Sequence, residues 1–206
     1  LFSRTKVNMH EKESILVLTQ EILEGSIFEL KIDTYSVEEN FKSGMLHIDC
    51  DVHHAQNGEK YVIKGVGVGI VDAFFQGLIS MYAKDYPSLN TIRFADFTIQ
   101  ARIETSQART GSDSAAEINI RIANSENHEF TFSHTSRSLL RSCLLAVLDG
   151  VSFFINSERA FIAVTKALNY ARENQRHDSI QRYTRQLATL VEATSYDQVI
   201  DKMDKY

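Results

Sequence analysis

The spacing of apolar residues predicts alternating strands and helices in the first half of the chain. Over residues 27–37, apolar residues alternate with charged ones, which is the period-two pattern of a strand buried on one face. A polar connection over residues 37–44 leads to a second alternating strand over residues 46–53. The Asn57-Gly58 pair predicts a hairpin turn before a returning strand. Apolar residues over 70–85 then follow helical spacing.

The same order of elements recurs in the second half. Alternation predicts three further strands, at residues 92–103, 116–122 and 129–134. Thr135-Ser136 is suited to cap the helix that follows, which begins at Leu139. The order β-β-β-α therefore occurs twice, which predicts an internal duplication. The predicted fold class is α+β, with helices covering one face of each sheet.

The chain is predicted to have three parts. Residues 1–24 form an N-terminal helical linker. Residues 25–156 form the duplicated domain, with units at about 25–87 and 91–156. Ile155-Asn156-Ser157 predicts a helix break, and residues 157–206 follow as a helical hairpin that extends the C-terminus.

Composition narrows the class of protein. The chain has 206 residues and a formal net charge of −5, which argues against nucleic-acid binding because that function needs a basic surface. Cys50 and Cys143 cannot build a disulfide framework, so we expect buried thiols in a reducing compartment. No apolar run reaches the roughly 18 residues of a membrane span. We therefore expect a cytoplasmic protein with no membrane partner. The first residue is Leu1 rather than Met, which suggests a piece of a longer protein.

A glycine-rich turn joins the third predicted strand to its helix. Gly65, Gly67 and Gly69 do not follow the Gly-x-Gly-x-x-Gly spacing of dinucleotide sites. One interpretation is structural, a tight turn in which two backbones approach closely. The other is that free amides at the start of the helix bind a small carboxylate. The sequence leaves both open.

Polar residues on the second strand resemble metal ligands at first sight. His47, Asp49, Asp51 and His53 alternate with apolar residues, so they lie on one face of the strand at steps of about 6.5–7 Å. A zinc ion needs ligands that converge at about 2 Å, which one straight strand does not provide. The pattern therefore favours a solvated outer face of the sheet over a metal site.

Two motifs resemble a known family. The segment Gly67-Val68-Gly69-Ile70-Val71-Asp72-Ala73 resembles the Gly-x-Gly-Pro-Val-Asp-Ala motif of the C-terminal regulatory domain of α-isopropylmalate synthases and citramalate synthases. The second half is similar to that domain's Asp-Tyr-x-Val and Gly-x-Asp-Ala-x-x-Glu-Val patterns, at Asp96-Phe97-Thr98-Ile99 and Gly111 to Ile118. The resemblance covers residues 25–156. Ile70 replaces the usual Pro, and Ser138 stands where Asp is common.

The resemblance implies feedback control. In this family the domain forms a homodimer, and the β-β-β-α units surround a branched-chain amino acid, leucine or isoleucine. The implied roles are backbone amides around Gly67 for the effector's carboxylate, and Asp72 or Asp113 for its ammonium group. Aliphatic side chains such as Val71 and Ile99 would form the pocket. The full set of implied effector-binding residues is Gly67, Gly69, Val71, Asp72, Ala73, Asp96, Ile99, Gly111, Asp113, Ser114, Ala115 and Leu139.

The resemblance also implies where catalysis resides. The family condenses acetyl-CoA with a 2-oxo acid in an upstream barrel that holds a divalent metal, so we expect no cofactor, metal or condensing activity in this chain alone. Two alternatives stay open. The domain could be a dimerisation module that has lost its effector, as the altered second turn suggests. It could instead be an independent enzyme that uses His47, Asp51 and His53 with a metal.

Overall fold

The computed structural model describes residues 9–102 and 115–203. Its elements in chain order are α1 (Met9–Leu23), β1 (Leu30–Asn40), β2 (Met45–His54), β3 (Lys60–Gly67), α2 (Ile70–Tyr82), a 3-10 turn (Pro87–Thr91), β4 (Arg93–Arg102), β5 (Ala115–Ala123), β6 (Glu129–Ser136), α3 (Leu139–Glu173), α4 (His177–Leu190) and α5 (Asp197–Met203). The predicted α+β class and the duplicated β-β-β-α order are confirmed.

The six strands form two separate antiparallel sheets, with orders β1-β2-β3 and β4-β5-β6. In each sheet the first strand lies at an edge and its pairing shifts register once, between Ile32 and Thr34 in β1 and between Phe94 and Asp96 in β4. The predicted polar connection at residues 37–44 begins too early, because β1 continues to Asn40 and pairs with β2 along that length, and only residues 41–44 form the turn. Polar residues suit the end of an edge strand, since both of its faces are exposed there.

One face of each sheet is buried by helices, as the alternation predicted. Along β2, Leu46, Ile48, Cys50 and Val52 are buried, and the residues between them are exposed or partly exposed. In β5, Ile118, Ile120 and Ile122 are buried in the same way. Helix α2 packs mainly on β3 and β2, and α3 packs on β6 and β5. The buried side chains join in one core.

Glycines allow α2 to lie unusually close to β3. A Cβ atom on Gly65 would stand 1.8 Å from the carbonyl oxygen of Ala73. On the helix side, a Cβ atom on Gly77 would stand 2.8 Å from Ile63. The structural interpretation of the glycine-rich segment, a close approach of two backbones, is therefore correct for Gly65.

Helix α3 is a single helix of 35 residues, so the predicted break at residues 155–157 is wrong. Asn156 is buried in the middle of this helix rather than at its end. Its side-chain amide accepts a hydrogen bond from the Phe28 N–H (2.7 Å) and donates one to the Phe28 carbonyl (2.9 Å). A polar residue that looked like a helix end thus joins α3 to the segment before β1.

The cap of α3 also differs from the prediction. Ser138, rather than Thr135-Ser136, is the N-cap residue, and its hydroxyl accepts a hydrogen bond from the Arg141 N–H. Ser136 ends β6 instead, and its hydroxyl lies 2.8 Å from that of Ser142.

The C-terminal helices pack back on the duplicated core. The predicted hairpin exists and is formed by the second half of α3 and by α4. Helix α1 also packs on α3, and its Ile15 is fully buried, so the predicted boundary at residue 24 does not separate α1 from the core. By length and composition α3 could cross a membrane, but 67% of its most apolar stretch is buried inside the fold, as in a core helix.

Candidate functional site

The turn between β3 and α2 is built around Asp72. One carboxylate oxygen of Asp72 accepts a hydrogen bond from the Val68 N–H (3.0 Å). A Cβ atom on Gly67 would stand 2.5 Å from that oxygen and equally close to the Ala73 nitrogen. Gly67, Asp72 and the fully buried Ala73 therefore have a structural role, which is to fold the chain tightly into α2.

The first turn of α2 is partly exposed to solvent on the side away from the Asp72–Val68 hydrogen bond. Gly69 is the N-cap residue of α2, and no side chain of the described residues caps the helix there. A Cβ atom on Gly69 would meet no atom of residues 9–102 or 115–203 within 4 Å, and Val68 is exposed. Val71 lies in the first turn and is half-buried against the core. The helix start thus combines uncapped amides, space above Gly69 and an adjacent aliphatic side chain, which is suitable chemistry for a carboxylate.

The corresponding turn of the second unit is closed. The two units correspond at a shift of 69 residues. The third strand begins at Lys60 in the first unit and at Glu129 in the second, and the helix begins at Ile70 and at Leu139. In the second unit, however, the Ser138 hydroxyl already caps the helix. Leu139 begins α3 and is 43% exposed, so it lies at the surface rather than in an enclosed pocket.

The other predicted residues lie in different places. Ile99 is on the inner face of the second sheet, because it is paired with the buried Ile118. Asp96 and Ala115 lie on the opposite, outer face. Asp96 forms an ion pair there with Arg121. Three further predicted residues, Gly111, Asp113 and Ser114, lie outside the described residues.

The edge strands leave apolar residues uncovered on the inner faces of both sheets. In β4, Phe97 is 41% exposed and Ile99 is 49% exposed, although their partners in β5 are fully buried. In β1, Tyr35 is 37% exposed beside the buried Cys50. Apolar side chains that continue a buried face and then remain exposed are typical of a surface that meets another protein.

A cavity of about 610 Å³ lies between α1, the start of β1, β6 and α3. Its wall combines aliphatic residues with Lys12, Arg141 and Asp149. The Lys12 ammonium donates to the Thr131 carbonyl (2.5 Å) and lies 4.7 Å from the centre of the Phe132 ring. Burial lowers the pKa of Lys12, and the nearby Asp149 partly opposes that change.

No sequence motif marks this cavity, because its lining comes from α1, the start of β1, β6 and α3, which are far apart in the chain. One local signal was available in the regular spacing along α3. Arg141, Leu145, Asp149 and Ser152 follow one another at intervals of three or four residues, which places them on one side of the helix.

A family profile described as the LeuA allosteric (dimerisation) domain matches residues 10–155. The chain belongs to this family. The match confirms the family suggested by the two motifs in the sequence. It begins at residue 10, so it includes α1 as well as both β-β-β-α units, and it ends within α3 beside Asn156. The second half of α3, α4 and α5 follow the matched LeuA domain.

A relative with a curated description supports the same assignment. The chain is 26% identical over 102 residues to a probable 2-isopropylmalate synthase of Archaeoglobus fulgidus. That alignment spans 50% of this chain and 18% of the relative, so the relative is a much longer protein.

Four polar residues of β2, His47, Asp49, Asp51 and His53, lie on the outer face of the first sheet, as predicted. Asp49 pairs with Lys64 at 3.2 Å. His53 lies 2.9 Å from Asp33 across the strand pair. These contacts are cross-strand pairs on a solvated face. Asp49 and His53 therefore each contact a residue on a neighbouring strand and do not converge on one point, as metal ligands would.

Proposed function

We propose that this LeuA domain is the allosteric and dimerisation domain of an acyl-CoA-condensing enzyme of the 2-isopropylmalate synthase type, with a branched-chain amino acid as effector. The observation that carries the proposal is the open helix start at Gly69, in a domain whose family is named for allostery and dimerisation. Condensation of acetyl-CoA with a 2-oxo acid, and the divalent metal for it, would belong to a separate catalytic domain.

The edge strands support assembly into a homodimer. Tyr35, Phe97 and Ile99 continue the buried inner faces of the two sheets but remain exposed. A second copy that covered them would remove apolar surface from water, which stabilises a complex by roughly 25 cal/mol for each Å² buried. In this proposal the two-fold contact covers the inner faces of β1 and β4.

The helix start at α2 supports an effector with a carboxylate. Uncapped amides and the partial positive charge of a helix N-terminus favour an anion, and Val71 offers an aliphatic contact beside them. The ammonium group of the effector needs an acceptor. Asp72 is not wholly available for it, because one of its oxygens already holds the Val68 N–H. Its other oxygen lies 3.4 Å from the Gln76 side-chain nitrogen, which would have to turn away for Asp72 to take that role. Otherwise a residue of the second copy would supply the acceptor.

Thermal denaturation with added amino acids tests effector binding. Leucine or isoleucine should raise the melting temperature, since a ligand at 100 times its Kd stabilises the native state by about 2.7 kcal/mol. Gly69→Asp should abolish the increase, because the new carboxylate would cap α2 itself and repel the ligand. Ser138→Asp is the matched control at the closed turn and should keep it.

The interpretation of this assay depends on the two variants. An increase that survives in Gly69→Asp would place the effector elsewhere. An absence of any increase with leucine, isoleucine or valine at millimolar concentration would contradict effector binding.

Sedimentation velocity tests the dimer. The unmodified chain should sediment as a dimer at micromolar concentration, and Phe97→Glu should sediment as a monomer because a charge would be buried without a partner. Val62→Glu is the control, since Val62 is exposed to a similar extent on the outer face of the first sheet. A monomeric unmodified chain, or a dimer unaffected by Phe97→Glu, would contradict the proposed interface.

One observation favours a second candidate function, a dimerisation module without an effector. The second helix start already has a side-chain cap, the Ser138 hydroxyl, whereas the first has none, so the second turn offers fewer free amides to a carboxylate. If the first turn were also unable to bind, the chain would form a dimer that no amino acid stabilises. The two assays together distinguish this outcome from the first proposal.

A further inference from the structure

Three potential metal ligands from distant parts of the chain meet near the surface. They are Glu11 in the first turn of α1, His128 in the turn between β5 and β6, and Glu192 in the segment after α4. One ligand atom from each residue lies within 4.8 Å of the other two, and all three residues are partly buried. We propose that Glu11, His128 and Glu192 form a binding site for a divalent transition-metal ion such as zinc.

A buried asparagine holds two of these ligands in place. Asn124 is 2% exposed, and its side-chain oxygen accepts a hydrogen bond from the His128 N–H (2.9 Å). Its side-chain nitrogen donates to the carbonyls of Glu192 (3.1 Å) and Ala193 (2.8 Å). Ala193 is itself fully buried. The backbones that carry His128 and Glu192 are therefore fixed to one another before any ion binds, which lowers the ordering cost of binding.

The distances fit a small ion after side-chain movement alone. Zinc binds imidazole nitrogen and carboxylate oxygen at about 2.0–2.2 Å, so its ligand atoms stand roughly 3.3 Å apart in a tetrahedral site. Rotation of the partly exposed Glu11 and Glu192 side chains can close the present separations of up to 4.8 Å. Solvent completes the coordination, because the site lies at the surface.

The donor set selects the class of ion. An imidazole with two carboxylates suits zinc and its transition-metal neighbours, whereas magnesium and calcium prefer oxygen ligands alone. The two carboxylates also place like charges close together around a single histidine. A divalent cation would neutralise them.

Such an ion would join the matched LeuA domain to its C-terminal extension. Glu11 and His128 lie within residues 10–155, and Glu192 lies beyond them. A shared ion would tie α1, the β5–β6 turn and the segment after α4 together. The inference does not depend on effector binding or on dimerisation, since none of the three ligands lies at the β3–α2 turn or on the edge strands.

Calorimetric titration with zinc chloride, on the untagged chain after removal of metal with EDTA, tests the proposal. We expect one zinc ion per chain at micromolar affinity, and a melting temperature roughly 5–10 °C higher at 100 times the Kd. His128→Gln should weaken binding roughly tenfold or more, and Glu192→Gln should also weaken it. His10→Gln and His53→Gln are matched controls that should bind as the unmodified chain does.

Two results would overturn the proposed zinc site. Zinc binding that is absent at micromolar concentration would show that the three side chains form an ion pair only, and would overturn the proposal. Equal affinity in His128→Gln and in the unmodified chain would do the same, because the bound ion would then lie elsewhere. If His128→Gln does not fold, judged by circular dichroism, the comparison of Glu192→Gln with the unmodified chain decides.

Discussion

Replacement of Gly65 by alanine tests how the β3–α2 turn is held. The new Cβ atom would stand 1.8 Å from the Ala73 carbonyl oxygen and 2.7 Å from its carbonyl carbon. Both atoms belong to the backbone, so no side-chain rotation can relieve the clash. Helix α2 would have to retreat from β3 by about 1.2 Å or more to restore a contact of 3.0 Å.

The expected loss of folding stability follows from that displacement. Inserting a methyl group into a tightly packed site typically costs about 1–3 kcal/mol. A gap of 0.5–1 Å already forfeits roughly a quarter to a half of the dispersion energy between facing atoms, and the fully buried Phe74 and Leu78 of α2 would lose contacts. Alanine also makes the unfolded chain less flexible than glycine does, which returns about 0.4–1 kcal/mol. We therefore expect a net loss of about 1–2 kcal/mol.

Thermal and urea denaturation, followed by circular dichroism, measure this loss. For a chain of this size, 1 kcal/mol lowers the melting temperature by about 2–4 °C, so Gly65→Ala should melt roughly 2–8 °C lower. Gly69→Ala is the matched control, because its Cβ atom would meet no atom of the described residues within 4 Å and its φ of −173° is accessible to alanine. It should change stability by less than about 0.5 kcal/mol. Equal stability of the two variants would refute the close-approach explanation.

Three further results are expected. Asn156→Ala should destabilise the fold by about 2–4 kcal/mol in urea denaturation, because it leaves the buried N–H and carbonyl of Phe28 without partners; a loss below about 0.5 kcal/mol would contradict this role. Burial raises the pKa of Cys50 to about 12 and that of Cys143 to about 11. Neither thiol should therefore react with Ellman's reagent at pH 8 in the native state, both should react in denaturant, and a fast native reaction would show that a cysteine is accessible. Ser138→Ala should lower the melting temperature by an amount equivalent to about 1 kcal/mol through loss of the α3 cap, and an unchanged value would show that the cap is unimportant.

The duplicated fold could be predicted from sequence because local patterns specified it. The inner residues of β2 alternate strictly with polar ones, and the glycines of β3 mark where a helix approaches. Local patterns failed where a tertiary contact decided the outcome. Asn156 looked like a helix end because its amide often competes with the helical backbone. Here that amide bonds to Phe28, 128 positions earlier, and the helix continues.

The candidate site was only partly predictable. The motif from Gly67 to Ala73 predicted a tight turn, and the structure has one there. The spacing of the motif could not show that the Asp72 carboxylate accepts a hydrogen bond from the Val68 N–H within that turn. Asp96 belonged to a family pattern, yet the register shift in β4 places it on the outer face beside Arg121. The exposed inner face at Phe97 depends on how far α3 extends across the sheet, which is a property of packing.

We propose that this LeuA domain binds a branched-chain amino acid at the start of α2. The most direct measurement is calorimetric titration of leucine, and separately of isoleucine, into the unmodified chain and into Gly69→Asp. The account predicts saturable heat with at least one of them for the unmodified chain and none for Gly69→Asp. Saturable heat of equal affinity in both proteins, or no heat with either amino acid at millimolar concentration in a folded chain, would contradict it.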